Sequence, residues 1–262
     1  MHWTSRRRTW HNGRRFGAST DRRGNRVIQI VSLSFFRFAP GLSRLWAFTM
    51  MGLARPALAR VPGIGFWKLC GSGTGQGFTP IPNTGVYAIL ATWPDLATAK
   101  RQTSDAPIFR RYARRAVESY TLFMQATSVR GAWAGVAPFE RSDSATNGPV
   151  AALTRATVRP LAALRFWKRV PDISAVIGAD PNVAFKIGIG EVPLLHQVTF
   201  SVWPDTTGMA AFAREDGPHA RAIEAVRDGN WFREELYARF NILAERGTWQ
   251  GAKPLHHLGV GA

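Results

Sequence analysis

Six histidines offer the most direct route to metal or acid–base chemistry, and their contexts differ. His2 and His11 lie in an arginine-rich opening stretch, and His256 and His257 in a glycine-ended C-terminal stretch. Neither context fixes an imidazole. His196 opens a predicted strand, where a structural role is the plainer reading. His219 stands apart. Asp105-Ala106-Pro107-Ile108 aligns with Asp216-Gly217-Pro218-His219, so His219 takes the place that isoleucine holds earlier in the chain. It shares a helical stripe with Phe212, Ile223 and Val226, and so points toward an interior. By that alignment it sits in the first turn of a helix, where the helix dipole disfavours imidazolium. A neutral, helix-anchored imidazole is the form that ligates iron. A core histidine with its hydrogen bonds satisfied is the alternative.

Other chemistries find less support. There is no Gly-x-Ser-x-Gly elbow, and the single cysteine, Cys70, sits in an apolar run. A non-haem iron triad would need His196, His219 and Asp216 to converge. The glycine ladder Gly71–Gly77 lacks a Gly-Lys-Ser/Thr sequence and has the wrong spacing for a dinucleotide turn. It reads as a loop between two strands, eight residues longer than its counterpart later in the chain.

The elements that would position His219 come from an internal repeat. Trp93-Pro94-Asp95 recurs as Trp203-Pro204-Asp205, and Arg130-Gly131-Ala132-Trp133 as Arg246-Gly247-Thr248-Trp249. Trp67-Lys68-Leu69 matches Phe185-Lys186-Ile187. The first half predicts strand 28–38, helix 42–60, strands 66–70 and 86–93, helix 96–117 and strand 120–127. The second predicts strand 150–158, helix 161–177, strands 183–189 and 197–203, helix 206–227 and strand 236–243. That is β-α-β-β-α-β twice, the ferredoxin-like order. Each such sheet has a bare face that needs a partner. The expected fold is therefore α+β: tandem ferredoxin-like repeats forming a single-chain, dimeric-type α+β barrel. The expected layout is a basic disordered tail over 1–27, half one over 28–137, a linker over 138–149, half two over 150–251 and a C-terminal tail over 252–262.

Composition narrows the classes. With 262 residues, 45% hydrophobic, the chain can bury a sizeable core. The longest strongly apolar stretch, Leu45–Ala54, is closed by Arg55 and is about half of what a membrane-spanning helix needs. One cysteine excludes an internal disulfide framework. The net charge is +17, and the basic residues are mostly arginine. That balance suits nucleic acid, an anionic membrane or acidic partners. The RNA-recognition pattern is absent from the third strand of either half, GVYAILATW and QVTFSVW, so no nucleic-acid partner is expected. A non-catalytic basic α+β barrel that binds RNA or a small hydrophobic ligand is kept as the rival class.

Several stretches resemble the acyclic carotenoid 2-ketolase family, also called spheroidene monooxygenase, of purple phototrophic bacteria. They are SFFRF (34–38), FWKLCGSGTGQGFTP (66–80), ALTRAT (152–157), FKIGIGEVP (185–193), QVTFSVWPD (197–205), DGPHARAI (216–223) and GNWFREELYARF (229–240). The resemblance runs over about residues 28–251 and leaves out 1–27, which is expected to be dispensable. It implies a haem-dependent oxidoreductase that installs a keto group at C-2 of linear carotenoids such as spheroidene and spirilloxanthin. It implies haem b as cofactor, with O₂ and reduced ferredoxin as co-substrates, and it makes His219 the expected axial ligand of the haem iron. Haem propionates need cations, and Arg155, Lys186 and Arg221 are the expected partners. Trp231 and Phe232, in residues that half two carries in excess, are expected to line a substrate pocket. A lipid-soluble polyene substrate with no spanning segment in the enzyme implies a cytoplasmic protein bound peripherally to the membrane.

Overall fold

The computed structural model describes residues 28–75, 79–143, 148–163, 165–167, 183–214 and 231–261, and of 211–214 the backbone alone. Eight antiparallel strands close into a barrel in the order β1-β3-β2-β6-β7-β5-β8-β4. The strands are β1 (Ile30–Arg37), β2 (Trp67–Gly73), β3 (Pro82–Trp93), β4 (Glu118–Gly131), β5 (Val150–Val158), β6 (Phe185–Gly190), β7 (His196–Trp203) and β8 (Phe232–Gly247). Five described helices accompany them: α1 (Leu42–Leu53), α2 (Arg55–Ala59), α3 (Leu96–Asp105), α4 (Pro107–Arg115) and α5 (Thr206–Arg214). The fold is α+β, as expected.

Strand order within the first stretch is β4-β1-β3-β2, and within the second it is β8-β5-β7-β6. The barrel closes where β2 meets β6 and where β4 meets β8. Alternation then sorts the side chains. Val31, Leu33 and Phe35 of β1, Leu153 of β5, and Val198 and Phe200 of β7 face a single interior core. Phe35, Tyr120, Phe185 and Phe200 fill it with ring-to-ring contacts at 5.5–6.4 Å. Phe36, Leu69, Tyr87, Ile89 and Phe123 face outward and pack under α1 to α4.

The repeated motifs have local causes. Each Trp-Pro-Asp ends a strand, and its aspartate caps the next helix: Asp95 Oδ1 accepts from Thr98 N–H at 2.7 Å, and Asp205 Oδ1 from Gly208 N–H at 2.8 Å. In each Arg-Gly-x-Trp the glycine has positive φ, 96° at Gly131 and 89° at Gly247. A Cβ at either would stand 2.1 Å from a carbonyl oxygen of the strand it pairs with, β8 for Gly131 and β4 for Gly247, so only glycine fits there.

Four expectations are corrected. The helix drawn over 96–117 is two, α3 and α4, because Ala106 precedes Pro107 and takes extended backbone at ψ 134°. The helix drawn over 42–60 is likewise broken, with Ala54 joining α1 to α2. The glycine ladder is not all loop: Gly71–Gly73 belongs to β2, and Gly71 and Ser72 pair with Gly190 and Ile189 to close the barrel. Phe232 begins β8 rather than lying in a connection before it.

The C-terminal residues also serve the barrel. Leu255 is fully buried in the interior core, and its N–H donates to Glu245 Oε2 at 3.2 Å. Phe139, between β4 and β5, is buried on the same core against Phe240.

Candidate functional site

Two places combine chemistry-bearing residues with an unusual setting. The first is the outward face of the second stretch's sheet. Ile30 lies opposite Trp93 and Val150 lies opposite Trp203, which sets the two stretches in register. In that register, where the first stretch carries Phe36, Leu69, Tyr87, Ile89 and Phe123, the second carries Ala156, Gly188, Gln197, Thr199 and Arg239. Large rings and branched aliphatics on one face correspond to small or polar groups on the other. Apolar packing among the described residues falls to two small clusters at the margins of this face. Val150, Trp203 and Met209 form one, and Val158, Ala162 and Trp231 the other. Among the described residues this face therefore combines small side chains at Ala156, Gly188 and Thr199 with the polar Gln197 and Arg239.

Lys186 stands on this face. It pairs across from Ser201, faces outward and is half-buried, and burial pulls its ammonium below the usual lysine range. The match of Lys68 to Lys186 is corrected here. Lys68 lies opposite Leu90 and faces the interior, so its counterpart in register is Ile187 and not Lys186. Trp231 and Phe232 pack at the edge of the same face. Trp231 is buried with Val158 and Ala162, and the Phe232 ring meets that of Phe166 at 5.7 Å. His219 and Arg221 lie outside the described residues, which break off at Arg214 of α5, five positions before His219.

The second place is a charged cluster inside one end of the barrel. Arg155 takes the register position of Phe35, and its side chain is 2% exposed. A guanidinium there costs several kcal/mol unless it is paired. Its Nη1 donates to Glu234 Oε2, and its Nη2 lies 3.9 Å from Glu191 Oε2. Glu191 also accepts from Trp133 Nε1 at 2.6 Å and pairs with Lys68 Nζ at 3.0 Å. Both cations stack near Trp133, with Arg155 at 5.7 Å and Lys68 at 5.9 Å from the ring centre. Glu234 accepts from Ala134 N–H at 2.9 Å and Gly135 N–H at 2.6 Å.

The electrostatics follow. Burial raises the Glu234 carboxyl, but the N–H groups of Gly135 and Ala134 and the Arg155 charge outweigh it, and its net pKa is lowered. His196 Nδ1 lies 3.7 Å from Glu191 without a hydrogen bond. Burial holds that imidazole below its ordinary pKa despite the glutamate, so it is neutral at neutral pH. Burial pushes the Cys70 thiol far up, which leaves it a protonated core residue with no nucleophilic role. Arg155 Nε has no partner among the described residues.

The opposite end of the barrel repeats only half of this device. There Arg37 pairs with Glu118, which accepts from Gln250 and Gly251 N–H at 3.0 and 2.8 Å, and Arg37 lies 5.4 Å from the Trp249 ring centre. The glutamate-to-tryptophan-loop clasp is therefore common to both ends. Buried Arg155 with Lys68, Glu191 and His196 is particular to one. Arg155 and Lys186 project to opposite faces of the sheet, so the structure does not bring them together. Sequence reading missed Lys68, Trp133, Glu191 and Glu234 as a group. The available signal was Arg155 itself, two residues from Leu153 on a core-facing alternation, which demands carboxylate partners. Among the described residues, no three His, Cys, Asp or Glu side chains are grouped to hold a metal ion.

Comparison with known proteins decides the family. No family model matches the chain. It is 52% identical over 230 residues to the spheroidene monooxygenase of Cereibacter sphaeroides, a match that covers 87% of this chain and 71% of the relative. It is 49% identical over 231 residues to that of Rhodobacter capsulatus, covering 87% of this chain and 96% of the relative. The chain belongs to the spheroidene monooxygenase family. A third member, from Rubrivivax gelatinosus, is 34% identical over 239 residues and covers 91% of both chains. As a spheroidene monooxygenase relative, this chain is an oxidoreductase of the monooxygenase class. Among solved structures, aldoxime dehydratase in complex with butyraldoxime aligns with TM-score 0.58 at 10% identity, covering 90% of this chain and 87% of the other. A second aldoxime dehydratase structure aligns at 0.54 and 11% identity, over 91% and 88% of the two chains. These likenesses establish the α+β barrel fold.

Proposed function

We propose that this protein is a haem-dependent monooxygenase that installs a keto group at C-2 of acyclic carotenoids of the spheroidene and spirilloxanthin type. The observation that carries the reading is 52% identity over 230 residues to a spheroidene monooxygenase. The sheet face described above supports a flat prosthetic group. Small side chains at Ala156, Gly188 and Thr199 suit a planar ring where the first stretch packs helices on bulky residues. His219 is the proposed axial ligand to the iron of haem b. Lys186 on that face and Arg221 are the proposed propionate partners. Arg155, committed to Glu234 and Glu191 on the other face, is assigned to the barrel-end cluster instead. Trp231 and Phe232 are proposed to border the polyene path.

When bound, the cofactor supplies activation of O₂ with electrons from reduced ferredoxin. The chain's own residues hold the imidazole neutral, neutralise propionate charge and keep water from the apolar substrate end. Two successive hydroxylations at one carbon, each using one O₂, two electrons and two protons and releasing one water, give a geminal diol. Loss of water from the diol leaves the ketone. The barrel itself is proposed to be two tandem ferredoxin-like repeats, 28–137 and 150–251, joined by 138–149, with terminal segments 1–27 and 252–262 outside them. The protein is placed in the cytoplasm with peripheral membrane contact. No described helix is long and apolar enough to cross a membrane.

Visible absorption of the purified full-length protein tests the cofactor reading. A Soret band in the wild type that His219→Ile abolishes is the expected result. An unchanged Soret band in that variant removes His219 as the ligand.

A further inference from the structure

Helix α1 turns its most apolar side to solvent. Leu42, Leu45, Phe48 and Leu53 are 83%, 60%, 64% and 72% exposed. With Thr49 and Gly52, also exposed, they occupy one continuous side of the helix, while Ala47 and Met50 on the other side are buried on the sheet. Lone exposed leucines are ordinary, but four large apolar side chains in one row are a patch that calls for an occupant.

The charge around the row narrows the occupant. No aspartate or glutamate occurs between Asp21 and Asp95, a stretch that holds all of α1 and α2. Arg44 lies on α1 beside the row. Arg55 opens α2 with its Nε donating to Met51 O at 3.4 Å, and Arg115 of α4 lies 4.6 Å from the ring centre of Trp46 on α1. Helix α4 adds Arg110, Arg111 and Arg114, all exposed, and has no acidic residue. An apolar ridge flanked by arginines, on helices without an acidic residue, complements a surface that is apolar within and anionic at its boundary.

We infer that α1 is a membrane-docking helix: Leu42, Leu45, Phe48 and Leu53 enter the acyl boundary of an anionic bilayer, and Arg44, Arg55 and Arg115 meet lipid phosphates. The inference rests on the proposed peripheral membrane contact and assigns it to a surface. The helix lies in the plane of the interface and does not span it. Docking there brings the barrel to the phase in which an apolar polyene resides.

Co-sedimentation of the full-length protein with phosphatidylcholine vesicles, with and without phosphatidylglycerol, tests this. Wild type should bind the anionic vesicles and be released by raised salt, with weak binding to neutral ones. L45E/F48E should bind the anionic vesicles about tenfold more weakly at least, with an unchanged circular dichroism spectrum. R55E/R115E should lose the preference for anionic lipid. Equal binding by L45E/F48E and wild type would overturn the assignment to α1 while leaving peripheral contact by another surface. No binding by wild type would overturn both. A wild-type dimer that L45E/F48E converts to monomer, with vesicle binding unchanged, would make the row a contact between copies and also overturn the inference. Ketone formation on carotenoid in detergent micelles should be the same in L45E/F48E and wild type, which separates docking from catalysis.

Discussion

At the scale of single residues, Arg155 has the clearest energetic consequence. It is a buried cation held by two carboxylates, and removing one partner of such a set leaves charge unpaired. Arg155→Ala should cost about 3 kcal/mol, read from urea denaturation. A loss under about 1 kcal/mol would show that water already solvates the cluster. The same cluster sets an acid sensitivity. His196 has a folded pKa below its ordinary 6.5, so protonation favours the unfolded chain, and stability falls as pH drops through that value. Glu234 has a folded pKa below its ordinary 4.5, so its contribution is complete above 4.5 and is lost as pH falls further. Stability should therefore decline in two stages on acidification. His196→Phe should remove the first and spare the second, as followed by denaturation midpoints at stepped pH.

At the scale of elements, the Arg-Gly-x-Trp corner is the part that tolerates least. Gly247→Ala would set a methyl 2.1 Å from Ser119 O at φ 89°, and should cost at least about 2 kcal/mol by thermal denaturation. Gly135→Ala, with open space around the added carbon, should cost less because only its φ of 78° opposes it. Such corners were legible in the sequence because each motif carries its own cause: proline ends a strand, aspartate caps, glycine permits a close approach of paired strands. The break between α3 and α4 was equally local, since Ala106 precedes a proline. The barrel-end cluster was not legible. Its members are paired across separations of 58 and 79 residues, Trp133 with Glu191 and Arg155 with Glu234, and only barrel closure brings them together. The one-residue error that equated Lys68 with Lys186 has the same origin. Side-chain facing is set by register, here the pairing of Lys68 with Leu90 and of Ile187 with Phe200, which sequence matching does not reveal.

At the scale of the whole molecule, the two stretches share one interior core and close the barrel only across each other, β2 on β6 and β4 on β8. Calorimetry should therefore give one transition, with van't Hoff and calorimetric enthalpies equal. Residues 28–137 expressed alone should fail to fold, because half of the sheet's inner face would be bare. The difference between the two outward faces is the asymmetry on which function is proposed to rest: one is packed with rings under four helices, and among the described residues the other carries small or polar side chains at the matching positions. The central claim is that this asymmetric barrel oxidises linear carotenoids to ketones. Pigment analysis of a spheroidene-producing host that expresses the full-length chain tests it most directly. Accumulation of the 2-keto carotenoid, with unmodified spheroidene when His219→Ile replaces the wild type, is the predicted result. Unmodified spheroidene with both proteins, at equal levels of folded protein and with O₂ and reduced ferredoxin supplied, would contradict it.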